Sequence, residues 1–80
     1  MKINHALRQF RETICHSTTA EMANKLGVNQ CDISKIERGI ECSPKTIVKY
    51  IDYFSRVARH EGYDPIQYAG LLLYGNPNAL

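Results

Sequence analysis

Long apolar runs are missing from this 80-residue chain: no stretch approaches the roughly 20 residues that a membrane-spanning helix needs. Met1–Phe10 also lacks the long hydrophobic core of a secretory signal, so a cytoplasmic protein with no membrane partner is expected. Cysteine is scarce and odd in number. Cys15, Cys31 and Cys42 match neither a disulfide framework nor paired zinc knuckles, which predicts reduced thiols. Adjacent Cys15 and His16 cannot easily aim at one ion, so no metal site and no cofactor are expected. Charge of either sign is in small excess only: ten Lys and Arg against eight Asp and Glu give +2, a balance that permits nucleic acid without demanding it. Repeats, low-complexity tracts and alternating β-branched segments between hairpin turns are absent as well. What remains is a chain that is 44% hydrophobic and 22% charged, apolar enough to fold and too short for a large catalytic cleft. The expectation is a single all-α unit without enzymatic activity.

Helix punctuation is dense. Ile3, Leu7, Phe10 and Ile14 recur at helical spacing and predict a first helix over about Asn4–Cys15. Thr18 to Glu21 has the capping-box form and starts a second helix, with Met22, Ala23 and Leu26 on its apolar side and Gly27 placed to close it. Asn29 is the next cap, Val28 its staple residue, and a third helix follows over Gln30 to about Arg38, with Ile33 and Ile36 facing inward. Asp32, at the third position, suits the helix N-terminus and can bond back to Asn29. Ser43-Pro44 begins a fourth helix, about Pro44–His60, with an inward stripe of Ile47, Ile51, Phe54 and Ala58 and a second stripe of Tyr50, Tyr53 and Val57. Asp64-Pro65 caps a fifth, about Pro65–Leu73, with Tyr63 able to staple against Tyr68.

The segment Thr19–Gly39 carries the strongest functional signal: two short helices flank a tight turn at Gly27, and the second presents polar residues at its start. Ala23 is small enough to let the two helices cross closely. In Ala23, Leu26-Gly27-Val28, Gln30, Ile33-Ser34-Lys35-Ile36 and Glu37-Arg38-Gly39 the chain resembles the Cro/Xre family of lambda-repressor-like DNA-binding domains, over about Leu7–Ala58. The resemblance implies a compact five-helix bundle that binds double-stranded DNA as a dimer, with the helix at Gln30 reading bases. It also implies a structural ion pair between Arg11 and Glu37. The stretch between Arg11 and Ala23 is one residue longer than the family's usual spacing, which leaves Arg8 open as the partner instead. On this basis residues 1–62 form the DNA-binding part, and residues 63–80 a C-terminal helix and tail.

Chemistry then assigns roles on the outward face. Gln30 offers a donor and an acceptor on one amide, suited to the N6/N7 edge of adenine or, in a tilted dock, to other bases. Lys35 reaches either guanine O6/N7 or a flanking phosphate; Asn29 caps, touches a base, or does both. Cys31 suits a thymine methyl, and Ser34 is a lesser reader. Phosphate contacts are expected from Thr19, which stands where the family commonly has glutamine, and from Arg38 and Lys45 beside the start of the fourth helix.

The C-terminal run Tyr68–Tyr74 is apolar on every side, so it either covers the core with apolar surface to spare or meets another chain. A symmetric homodimer through Tyr68, Leu71, Leu72 and Leu73 is expected, since twofold pairing is the commonest assembly and matches a palindromic operator. The functional expectation is a sequence-specific transcriptional regulator, repression being favoured because no sensor domain is present. The alternatives are an antitoxin-type or other interaction module whose C-terminal helix binds a partner protein, and a restriction–modification controller.

Overall fold

The computed structural model describes residues 3–79; Met1, Lys2 and Leu80 lie outside the described residues. Among the described residues there are five α-helices and no strand: α1 (Ile3–Gln9), α2 (Thr19–Leu26), α3 (Gln30–Glu37), α4 (Pro44–His60) and α5 (Pro65–Tyr74). Their starts follow local chemistry. Thr18 Oγ1 accepts from the Glu21 amide at 3.1 Å while Glu21 Oε1 accepts from the Thr18 amide at 2.9 Å. Asp64 and Gln67 repeat the same reciprocal box at the head of α5. Tyr63 stacks on Tyr68 with ring centroids 6.0 Å apart, the staple expected there. No helix among the described residues is long and apolar enough to cross a membrane.

The first helix departs from the single stripe that its periodicity suggests. After Gln9 it widens into a π-helical turn, Phe10–Ile14, in which the Cys15 amide donates to the Phe10 carbonyl at 3.0 Å, five residues back. The extra residue in that turn rotates Ile14 to 43% exposure and brings Cys15, half-buried, against the core in its place. Thr13 Oγ1 donates to the Gln9 carbonyl at 2.6 Å beside the widened turn. His16 then takes a left-handed φ of 49°, which stops the helix.

Phe10 sits at the centre of the core, edge-on to Phe54 at 5.1 Å, Tyr53 at 5.7 Å and Tyr68 at 6.3 Å. Around it close Leu7, Met22, Ile33, Tyr50 and Ala58. α1 packs against α3, α4 and α5, while α2 packs chiefly on α3. Two expectations are corrected here. On α4 it is Tyr50, from the stripe set aside as secondary, that is fully buried, and Ile51 that lies at the surface with 36% exposure. The reason is that the Tyr50 ring fills the space between α1 and α3 and its hydroxyl finds acceptors there. Tyr68, expected at a partner interface, is 3% exposed within the monomer, because its ring completes the aromatic cluster around Phe10.

α5 also hides more apolar surface than its sequence suggests. The tail folds back over buried Gly70, where an added Cβ would lie 2.8 Å from the Asn76 carbonyl oxygen. Leu71, Leu72 and Leu73 are half-buried as a result of packing on the core.

Candidate nucleic-acid interface

α2 and α3 are joined by three residues. Gly27 adopts φ 69°, ψ 38°, and the Val28 amide donates to the Ala23 carbonyl at 2.9 Å, so α2 ends in a left-handed closure that turns the chain sharply into α3. Ala23, 3% exposed, occupies the crossing; its methyl permits the close approach. Asn29 Oδ1 accepts from the Cys31 amide at 2.8 Å and caps α3. Of the roles left open for Asn29, the cap is the one its side-chain oxygen fills.

The turn brings the first residues of α2 and α3 together. Gln30 Nε2 donates to Thr19 Oγ1 at 3.1 Å, so the residue expected to read a base and the residue expected to meet phosphate touch each other. That bond uses one of the two amide hydrogens of Gln30 and leaves the other hydrogen and the amide oxygen for a further partner. Gln30 and Cys31 are exposed, and Ser34 and Lys35 are half-buried on the same outer side of α3. Arg38 is exposed, with Nε donating to the Ser34 carbonyl at 3.4 Å.

Asp32 does not bond back to Asn29. It accepts from Thr46 Oγ1 at 3.2 Å, which ties the first turn of α3 to the first turn of α4 and draws the carboxylate away from the outer side. Thr46 escapes sequence reasoning because its partner is 14 residues away and no local pattern links them. Lys45, the residue before Thr46 in the first turn of α4, is exposed. Ser43, at the N-cap of α4, makes no capping bond with its side chain.

The far end of α3 is held from inside. Arg11 grips Glu37 through both nitrogen pairs, Nε to Oε2 at 2.8 Å and Nη2 to Oε1 at 2.9 Å, and donates from Nη1 to the Ser17 carbonyl. The structure thus brings Arg11, not Arg8, to Glu37; Arg8 pairs with Glu12 on the surface at 3.3 Å. Tyr50 adds a third contact that sequence reasoning missed: its hydroxyl donates to Glu37 Oε2 at 2.7 Å, with the Leu7 carbonyl 3.1 Å away as a second acceptor. The hydrogen bond to Glu37 holds the Arg11 guanidinium still more firmly in its charged form, and burial, with the Glu37 carboxylate beside it, pushes the Tyr50 phenol far above its ordinary value.

No protein family, curated protein or solved structure matches this chain. The site therefore has to be read from its own geometry and charge. Arg8, Arg11 and Arg56 are each taken up by a carboxylate, whereas Lys25, Lys35, Arg38, Lys45, Lys49 and Arg59 form no ion pair among the described residues. Four of these six, Lys35, Arg38, Lys45 and Lys49, fall on α3, its end and the first turns of α4, while Lys25 is on α2 and Arg59 at the end of α4. Cys42 lies just before α4, and burial pushes its thiol up, so it stays protonated. No group of three metal-ligating side chains comes together among the described residues.

Proposed function

We propose that this chain is a sequence-specific double-stranded DNA-binding protein of the Cro/Xre, lambda-repressor-like type, acting as a homodimeric transcriptional regulator, with repression by operator occupancy as its mode. The observation that carries the reading is the Gln30–Thr19 hydrogen bond at the joint head of α2 and α3, within an exposed polar side flanked by free cations. A helix of this size enters the major groove of B-DNA, about 12 Å wide, and the remaining donor and acceptor of Gln30 match an adenine edge. Cys31 and Ser34 extend the reading side, and Lys35 follows just over a turn from Gln30. Thr19, Arg38 and Lys45 surround it at positions suited to phosphate oxygens, which fix register without specifying sequence.

The test compares affinity for a palindrome selected in vitro with affinity for random duplex at one salt concentration. Gln30→Ala is expected to lose about 1–3 kcal/mol on the selected site and to relax preference at one position of each half-site, whereas Lys45→Ala weakens all sequences alike and lowers the salt slope by about one. Equal affinity of the parent protein for both duplexes refutes the proposal.

A further inference from the structure

A carboxylate at the head of α3 is at odds with a helix that approaches phosphates, and the direction it takes decides what it does there. Lys35 follows Asp32 at the i,i+3 spacing, about 60° around the helix axis, where a carboxylate and an ammonium can pair. The two do not pair: among the described residues the ion pairs are Arg8–Glu12, Arg11–Glu37 and Arg56–Asp52. Asp32 Oδ2 accepts instead from Thr46 Oγ1 at 3.2 Å, in the first turn of α4. Thr46 is 4% exposed, and a β-branched side chain so buried is confined in its rotamer. Among the described residues its hydroxyl makes no other hydrogen bond, so what distinguishes threonine from an isosteric valine here is the hold on Asp32. Cys42 reports how near the two charges are. Burial is the main reason that its thiol is pushed up; the Asp32 carboxylate raises it further and the Lys35 ammonium lowers it, so both charges lie close to this one side chain without meeting each other.

We propose that Thr46 is a positioning residue for the DNA-reading helix: its hydroxyl holds the Asp32 carboxylate against α4 and so keeps Lys35 unpaired and available to DNA. The inference rests on the DNA-binding reading and adds to it a residue that itself touches no DNA. Without the hydroxyl, Asp32 has no partner on α4, and the nearest cation on its own helix is Lys35. The ammonium is then shared with an internal carboxylate, and contact with guanine or phosphate has to break that pair first. A surface pair at this spacing holds each Lys35 back by a factor of roughly 1.4–2.3, which becomes roughly two- to fivefold for the two copies on a palindrome. Thr46 thus acts on recognition through two other side chains, from inside the fold.

One arm of the test needs no DNA. Brief acetylation with acetic anhydride, which modifies unpaired amines faster, followed by mass spectrometry, gives the labelling of Lys35 relative to Lys45. Thr46→Val is expected to slow it roughly twofold, Thr46→Ala to do the same, Thr46→Ser to leave it unchanged, and Asp32→Asn added to Thr46→Val to restore it; circular dichroism shows that each variant keeps its helices. The second arm is titration of the selected palindrome. Thr46→Val is expected to lose roughly two- to fivefold in affinity in the parent background and nothing further in Lys35→Ala. Asp32→Asn is expected to gain more beside Thr46→Val than alone, whereas a general charge effect gives the same gain in both. Unchanged labelling of Lys35 in Thr46→Val, a full loss of affinity that persists in Lys35→Ala, or equal gains from Asp32→Asn overturns the proposal. Labelling that follows the expected pattern in a protein that binds the palindrome and random duplex alike leaves the hold on Asp32 standing and refutes the DNA reading instead.

Discussion

Replacing Arg11 with methionine removes both bonds to Glu37 from a place where water cannot substitute for them. The two side chains are 10% and 5% exposed, so the variant leaves a carboxylate inside the bundle with only the Tyr50 hydroxyl to compensate it. Breaking a buried pair from one side costs about 3–5 kcal/mol, against the ~0.2–1 kcal/mol of an exposed pair such as Arg8–Glu12. For a domain whose whole stability is of order 5–15 kcal/mol, that is between a fifth and all of it, and a fall in Tm of roughly 12–40 °C. Removing both charges together behaves differently. In Arg11→Met with Glu37→Leu the buried charge is gone, the Tyr50 hydroxyl, 3.1 Å from the Leu7 carbonyl, still has an acceptor, and only the part-buried Ser17 carbonyl loses a donor. The double variant is expected within about 1.5 kcal/mol of the parent, or above it. Urea unfolding followed by far-ultraviolet circular dichroism measures both. A single variant that loses less than about 1 kcal/mol, or a double variant as weak as the single, refutes the argument, the second result because it assigns the loss to packing of the arginine stem.

Ala23→Leu is expected to cost about 1–3 kcal/mol by forcing α2 and α3 apart, read from the same urea curves. Thr19→Val keeps the shape of the α2 head but frees the Gln30 amide; stability should hardly move, while preference for the selected palindrome falls by about 0.5–1.5 kcal/mol in a binding titration. Gly70→Ala sets a methyl against the Asn76 carbonyl and should release the tail, seen as faster amide exchange at residues 76–79. In alkali, Tyr50 stays protonated when folded and ionises when unfolded near its ordinary value of 10.0. Its contribution is therefore intact below pH 10 and drops by about 1.4 kcal/mol for each unit above it, a slope that Tyr50→Phe should reduce.

Features whose cause is local can be read in the sequence. Thr18 with Glu21, Asn29, Asp64 with Gln67, and Gly27 each act within a few residues, and the helix starts they set are found at those positions. Periodicity also identified both stripes of α4, and Phe54 and Ala58 are buried as it suggests, but it could not say that Tyr50 joins them in place of Ile51, because that depends on Leu7 and Glu37 offering acceptors to Tyr50 from 43 and 13 residues away. The same limit hid the Asp32–Thr46 tie. On the polar side of α3, residue types were informative while their mutual contacts were not: Gln30 and Thr19 were separate candidates until the Gly27 turn placed one on the other.

The π-helical turn shows how one nonlocal requirement decides a local irregularity. A regular helix from Ile3 to Ile14 would bury Ile14 and satisfy the apolar stripe. Arg11, however, is fixed from three directions, to both oxygens of Glu37 and to the Ser17 carbonyl, while Phe10 is fixed by three aromatic neighbours. With those two residues held, the chain beyond them must absorb one residue before Thr18 can cap α2, and the widened turn absorbs it at the cost of exposing Ile14. Exposing much of one isoleucine forgoes at most about 1.5–3 kcal/mol, no more than the cost of leaving Glu37 unpaired. The irregularity in the first helix is thus explained by what holds the end of α3, 26 residues further on, in position.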